Sequence, residues 1–154
     1  MTDQAAISAI IPVSERHDDL RELHAAYEAG LAEYNVEFCY VIDGDFPEAV
    51  SQLQGLQQAG KDLKVFQLAR CFGEATALRV GFERTTAELL LTLPAYFQVD
   101  PADLPRLLES LEDNDMVVVR RFPRFDSGFN RVQTRVFHWW VGRFTGNVFH
   151  DLGC

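Results

Sequence analysis

Leu89, Leu90, Leu91 and Leu93 make an almost uninterrupted apolar run that stops at Pro94. A run this short and continuous suits a strand covered on both faces, as in a parallel sheet, and such a strand needs helices on either side. The rest of the chain offers them in alternation. Residues 7–13 read as a strand closed by Pro12 and Ser14, followed by helical spacing over 16–33 with Leu20, Leu23, Tyr27 and Leu31 on one face. Residues 37–42 read as a strand ending at Asp43-Gly44-Asp45, and Ala49, Val50, Leu53 and Leu56 mark a helix that ends near Gly60. Residues 63–68 form the next strand. Arg70-Cys71-Phe72-Gly73 then turns into a helix with Ala77, Leu78, Val80, Gly81 and Phe82, which leads to the leucine run as the central strand. Pro101 opens a helix carrying Leu104, Leu107, Leu108 and Leu111. Residues 116–119 are expected as a fifth strand, 120–128 as a basic loop, and 129–144 as a helix with Val132, Val136, Phe137, Trp140 and Val141 at helical spacing. The order predicts an α/β fold: a doubly wound, mostly parallel sheet with helices on both faces and right-handed crossovers. Ligands of such sheets bind outside the carboxyl ends of the strands, so the loop after Leu93, with Tyr96, Gln98 and Asp100, is the expected floor of a site.

The 154 residues, 47% of them hydrophobic, suffice for one core, and a single domain over 1–154 is expected. No run reaches the roughly 18 apolar residues of a membrane span, and the first residues lack the basic flank of a secretory signal, which predicts a soluble, cytosolic chain. Cys39, Cys71 and Cys154 are odd in number and have no metal-ligand spacing, so reduced thiols are expected, with Cys39 in strand core. The ending Val148-Phe149-His150-Asp151-Leu152-Gly153-Cys154 lacks a closing element, which suggests truncation at the C-terminus of a longer chain.

A net charge of -9 argues against a nucleic-acid partner, but the charge is uneven. Residues 1–115 hold 8 Lys/Arg against 21 Asp/Glu, while residues 116–154 hold 6 against 2. The basic end is made of Arg120, Arg121, Arg124, Arg131, Arg135 and Arg143, with no lysine. Guanidinium fits phosphate bidentately, so these arginines read either as a phosphate-binding group or as a solvated basic face.

Four segments in order carry a resemblance. Ile10-Ile11-Pro12-Val13-Ser14-Glu15 is similar to a first strand ending Pro-x-Asn-Glu, and Val41-Ile42-Asp43-Gly44-Asp45 to Val-Asp-Asp-Gly-Ser. Leu68-Ala69-Arg70-Cys71-Phe72-Gly73 is similar to an Arg-Asn-x-Gly segment, with Ala77-Leu78-Arg79-Val80-Gly81-Phe82 as the helix behind it. His150-Asp151-Leu152-Gly153-Cys154 looks like an Asp-x-Gly-Cys approach to an acceptor. Together they resemble the family-two inverting glycosyltransferases of the GT-A, Rossmann-like fold, in particular the polyprenyl- or dolichol-phosphate sugar transferases. The resemblance covers nearly the whole chain.

The resemblance implies a nucleotide-diphosphate sugar donor contacted by Pro12, Ser14, Glu15, Asp43, Asp45, Arg70, Tyr96, Gln98 and Asp100. Asp43 would meet the nucleobase, or else stabilise its own turn; Ser14 would touch the nucleotide, or else cap a helix. Arg70 would face the nucleotide, or else form a surface ion pair. Arg120, Arg121, Arg124, Arg131 and Arg135 would bind the acceptor phosphate. The helix with Arg131, Arg135, Phe137, His138, Trp139 and Trp140 would approach a membrane surface, or else pack its aromatic stripe in a core, with His138 structural. Asp151 would be the general base, although a phosphate acceptor is already an anion and needs little deprotonation.

The resemblance also implies Mg²⁺ or Mn²⁺ on an Asp-x-Asp motif, and here the chain departs from the pattern. Pro94-Ala95-Tyr96-Phe97-Gln98 stands where Asp-Ala-Asp-Leu-Gln is expected, leaving Gln98 as the one retained contact. Three outcomes stay open: Asp43, Asp45 or Asp100 hold the ion instead; arginines such as Arg70 or those of 120–124 neutralise the diphosphate; or transfer is lost. The expected function is therefore a hexosyltransferase-type enzyme moving a sugar with inversion to a lipid-linked phosphate, at the inner face of the plasma membrane in the full-length protein. The alternative is a catalytically silent module binding a nucleotide or a partner transferase. A phosphoacceptor use of Asp43 or Asp45 would need a paired acidic pocket and downstream lysine that the sequence lacks.

Overall fold

A computed structural model describes residues 7–111 and 114–119. The chain divides into two compact units, Met1–Glu109 and Ser110–Cys154. In the first, β1 (Ile7–Val13), α1 (Leu20–Gly30), β2 (Val36–Ile42), α2 (Pro47–Gln58), β3 (Leu63–Gln67), α3 (Glu74–Arg84) and β4 (Leu89–Thr92) follow in turn. A 3-10 turn (Pro101–Asp103) then runs into α4 (Leu104–Glu109). The four strands are all parallel, in the order β3-β2-β1-β4.

Every residue of β1 is buried, because both of its faces are covered and both of its edges are paired. Ile7, Ala9, Ile11 and Val13 point to one side, where Phe38, Tyr40 and Ile42 of β2 join Leu20, Leu23, Tyr27 and Leu31 from the α1 region and Ala49 and Leu53 of α2. Ile10 points to the other, with Cys39, Val41 and Ala77 of α3. This is the period-two alternation of a strand sandwiched between helix layers. Each such buried Leu or Ile contributes about 1.5–3 kcal/mol relative to exposure, whereas an exposed pair such as Lys61–Glu28 contributes about 0–1, so the apolar faces decide the fold. Burial pushes the Cys39 thiol up to about 11, which keeps it an inert core residue.

Three expectations change. β4 is not central: among the described residues it is an edge strand beside β1, and Leu90 is 42% exposed. An apolar run reports a preference for burial, while strand order is set by crossovers that no run of leucines encodes. The first helix starts at Leu20, not near Arg16, because Asp19 is its N-cap and accepts from the Arg21 and Glu22 N–H groups at 2.9 and 3.3 Å. Ser14 therefore caps nothing, and residues 14–18 are free to form a loop. Residues 116–119, expected as a fifth strand, carry no ladder, and Met116 and Val118 are 72% and 58% exposed; β-branched residues favour a strand only against a partner. In the second unit, Asn114 N–H donates to Leu111 O at 2.8 Å. The expected basic loop and aromatic helix lie outside the described residues.

Close approach fixes how the last turn of α1 meets the chain after β4. A Cβ on Gly30 would lie 2.8 Å from the carbonyl carbon of Pro101 and closer still to its oxygen. Backbone cannot swing aside as a side-chain tip can, so Gly30→Ala is expected to cost about 1–3 kcal/mol in urea unfolding; a neutral result would mean that this contact is loose.

His24 gives the fold a pH dependence. It is buried in α1, with Nδ1 3.1 Å from the Tyr40 hydroxyl and its ring edge-on to Phe38 at 4.8 Å. Burial pushes its pKa below the usual value, with Glu28 opposing and Lys61 adding to the shift. The folded protein then resists a proton that the unfolded chain accepts near pH 6.5, so stability is full above about 6.5 and falls as the pH drops toward the lowered folded value. Thermal melts from pH 7.5 to 5.5 should show a steeper fall for the wild type than for His24→Leu, and equal slopes would exclude His24 as the source.

Candidate functional site

Parallel strands bring four loops to one edge: 14–19 after β1, 43–46 after β2, 68–73 after β3 and 93–100 after β4. The chain moves outward through β2 and β3 on one side of β1, then returns to its other side as β4, so the crossover direction reverses between β1 and β4. Crevices form at such a reversal. Backbone pairing continues one residue past the strands, with Asp43 N–H on Val13 O, Leu68 N–H on Ile42 O and Leu93 N–H on Ile10 O at 2.8, 2.8 and 3.0 Å. The edge is thus rigid up to where the loops begin.

Asp43 is the most constrained polar side chain there, 1% exposed. Its Oδ1 accepts from Phe72 N–H at 2.7 Å and its Oδ2 from Gly73 N–H at 2.8 Å, with the Cys71 thiol 3.4 Å from Oδ2. Gly73 has φ 97 and precedes α3, a conformation that excludes most side chains. Asp43 thus ties the β2 loop to the start of α3, and three of the carboxylate's roughly four lone-pair positions are used. Gln67 adds a second tie, donating from Nε2 to Gly44 O at 3.1 Å.

A separate set of contacts holds the loop after β4. The Tyr27 hydroxyl donates to Pro94 O at 2.9 Å, and burial raises the Tyr27 pKa, so the donor stays protonated. Asp18 N–H donates to Ala95 O at 2.9 Å, while Asp18 Oδ2 accepts Phe97 N–H at 2.7 Å. Beside these bonds the Arg16 guanidinium lies 4.0 Å above the Tyr96 ring centre. His17 Nδ1–H donates to Ser14 O at 2.8 Å and its ring meets Phe46 edge-on, which fixes the β1 loop from behind.

Of the residues singled out in the sequence, Pro12 is buried in β1, Ser14 and Gln98 are half-buried, and Glu15 and Asp45 are exposed at this edge. Asp100 caps the 3-10 turn, accepting Ala102 N–H at 3.0 Å. Arg70 is exposed and stacks on Phe72 at 4.9 Å; among the described residues it forms no ion pair. Arg120, Arg121, Arg124, Arg131, Arg135 and Asp151 lie outside the described residues. Sequence reasoning missed Arg16, Asp18, Tyr27 and Phe72. The one local signal was an acid pair, Asp18-Asp19, of which only the second acts as a cap.

A divalent ion with hard oxygen ligands does not fit the Pro94–Tyr96 positions. The Pro94 and Ala95 carbonyls already accept hydrogen bonds, and a cationic guanidinium covers Tyr96. Among the described residues no group of three or more His, Cys, Asp or Glu is arranged to hold a metal.

Comparison with known proteins agrees with this layout. An undecaprenyl-phosphate 4-deoxy-4-formamido-L-arabinose transferase of Erwinia tasmaniensis is 31% identical over 160 residues, covering 100% of this chain and 49% of the relative. Its namesake from Pseudomonas aeruginosa is 33% identical over 152 residues, covering 96% and 45%. The chain spans about half the length of the curated relatives it matches. Among solved structures, a mannosyltransferase from Pyrobaculum calidifontis in complex with GDP-Man and Mn²⁺ superposes with a TM-score of 0.63 at 18% identity, over 78% of this chain and 37% of that one, which supports the GT-A type of fold. The Glycosyl transferase family 2 profile matches residues 8–152, nearly the entire sequence, and the chain belongs to that family.

Proposed function

We propose that the domain binds a nucleotide-diphosphate sugar in the crevice between the β1 and β4 loops and transfers the sugar, with inversion, to a lipid-linked phosphate. The convergence of the four family-like loops on one edge, at the reversal of the sheet, carries this reading. The acceptor class follows the relatives, whose names specify undecaprenyl phosphate. An acceptor oxygen attacks the anomeric carbon from the side opposite the departing diphosphate, which inverts that centre. The phosphate oxygen is an anion already, so Asp151 has no essential deprotonation to perform.

In this reading Ser14, Asp43 and Arg70 hold the nucleotide, with Pro12, Glu15 and Asp45 shaping its surroundings. Tyr96, Gln98 and Asp100 line the diphosphate end. Arg120, Arg121, Arg124, Arg131 and Arg135 receive the acceptor phosphate, and the aromatic stretch around Trp139 and Trp140 meets the membrane surface on the cytoplasmic side. No helix among the described residues is long and apolar enough to cross a membrane.

Incubating the full chain with UDP- and GDP-sugars and undecaprenyl phosphate should yield a lipid-linked sugar detectable by mass spectrometry, with release of the nucleoside diphosphate. Donor binding without any product would instead identify a silent nucleotide-binding module.

Asp43 has a double role in this reading. Asp43→Ala strands the part-buried Phe72 and Gly73 N–H groups, and a loss of about 1–3 kcal/mol in stability is expected together with weaker nucleotide binding, measured well below the melting temperature. Lower stability with unchanged nucleotide affinity would restrict Asp43 to tying the loops.

A further inference from the structure

The described cations divide into two groups. Arg21, Lys61, Lys64, Arg79 and Arg106 are ion-paired with carboxylates. Arg16, Arg70 and Arg84 rest on aromatic rings instead, and of these Arg16 and Arg70 stand at the carboxyl edge. Arg16 is the one beside Pro94–Tyr96, the stretch that the resemblance sets against the metal motif. It is exposed, and its guanidinium stacks on Tyr96, the residue in the place of the second motif acid. Asp18 pins the two loops together on either side of that stack, through Ala95 O and Phe97 N–H. The guanidinium therefore rests at the carboxyl edge on a ring whose loop is anchored on both sides.

We infer that Arg16, seated on Tyr96, takes the place of the divalent ion against the donor diphosphate; this rests on the donor-site reading above. A guanidinium is charged at any working pH and presents planar N–H donors that match two phosphate oxygens at once. Stacking on Tyr96 orients that plane without neutralising it, as a carboxylate partner would. During transfer an acceptor phosphate oxygen bonds to the anomeric carbon while the carbon–oxygen bond to the β-phosphate breaks. The electron pair of that bond stays on the nucleoside diphosphate, and Arg16 stabilises the charge that accumulates there. No proton is exchanged and no metal is required in this step.

Calorimetric titration of the full chain with UDP, GDP, CDP, ADP and dTDP, each beside its parent nucleoside, in EDTA and then in Mn²⁺, tests the inference. One or more diphosphates should bind equally well in both conditions. Arg16→Gln should weaken that binding by about tenfold to a hundredfold while leaving the nucleoside and the melting temperature unchanged, and Arg16→Lys should restore part of it. Undiminished diphosphate binding by Arg16→Gln, or wild-type binding that vanishes in EDTA, would overturn the role of Arg16 and leave the donor site standing. An equal loss for nucleoside and diphosphate would also overturn it, since Arg16 would then only shape the loop. A folded wild type that binds none of the five would overturn the donor-site reading and this inference together.

Discussion

The burial of β1 on all sides is the constraint from which the rest follows. A strand with apolar residues on both faces and parallel neighbours at both edges can exist only if crossovers place helices above and below it, and α1, α2 and α3 do so. The crossovers then send the chain out through β2 and β3 and back to the far side of β1. The reversal of direction at β1 is where sheets of this kind open a crevice, so the position of the proposed site is a consequence of core packing.

What shapes the crevice is a different kind of interaction. Asp43, Gln67, Tyr27 and Asp18 each send a side chain across to the backbone of another loop, and all are bonds that the loops cannot make for themselves. Buried N–H and C=O groups that leave a sheet need partners, and loops lack a ladder to provide them. Here the partners come from residues far along the chain, so the four loops behave as one braced rim. Asp43 is central to that rim on the β2 and β3 side, and Asp18 with Tyr27 on the β1 and β4 side.

This division explains what was legible beforehand. Strands β1, β2 and β3 and helices α2 and α3 announce themselves through local periodicity, and their ends fell close to where Gly, Pro and Asp suggested. The start of α1 was misplaced because Ser14 and Asp19 are both good caps by composition, and only the contacts of Asp18 with Ala95 and Phe97 commit the preceding residues to a loop. The edge position of β4 was hidden because its leucines record apolarity rather than strand order. For the site, the motif residues were found by pattern, whereas Tyr27 and Asp18 act across 67 and 79 positions of sequence and leave no local trace. Arg16 was passed over for the same reason: nothing in its neighbours indicates Tyr96.

Where the resemblance sets Pro94-Ala95-Tyr96 against Asp-x-Asp, the exchange looks like a loss only if carboxylates are counted without their ion. Two carboxylates with a divalent cation sum to zero charge, and that assembly attracts a diphosphate because the ion faces it while the acids stand behind. Removing the acids and the ion together leaves the net charge unchanged, and a single guanidinium then adds one positive charge at that position. The geometry follows the same logic. Tyr96 supplies a flat support where an acid would have supplied a ligand, and Arg16 needs a support because, unlike an ion, it arrives on a flexible stem whose rotamer freedom must be given up. Bracing by Asp18 and Tyr27 removes part of that cost in advance, since the loop carrying Tyr96 is already ordered before any ligand arrives.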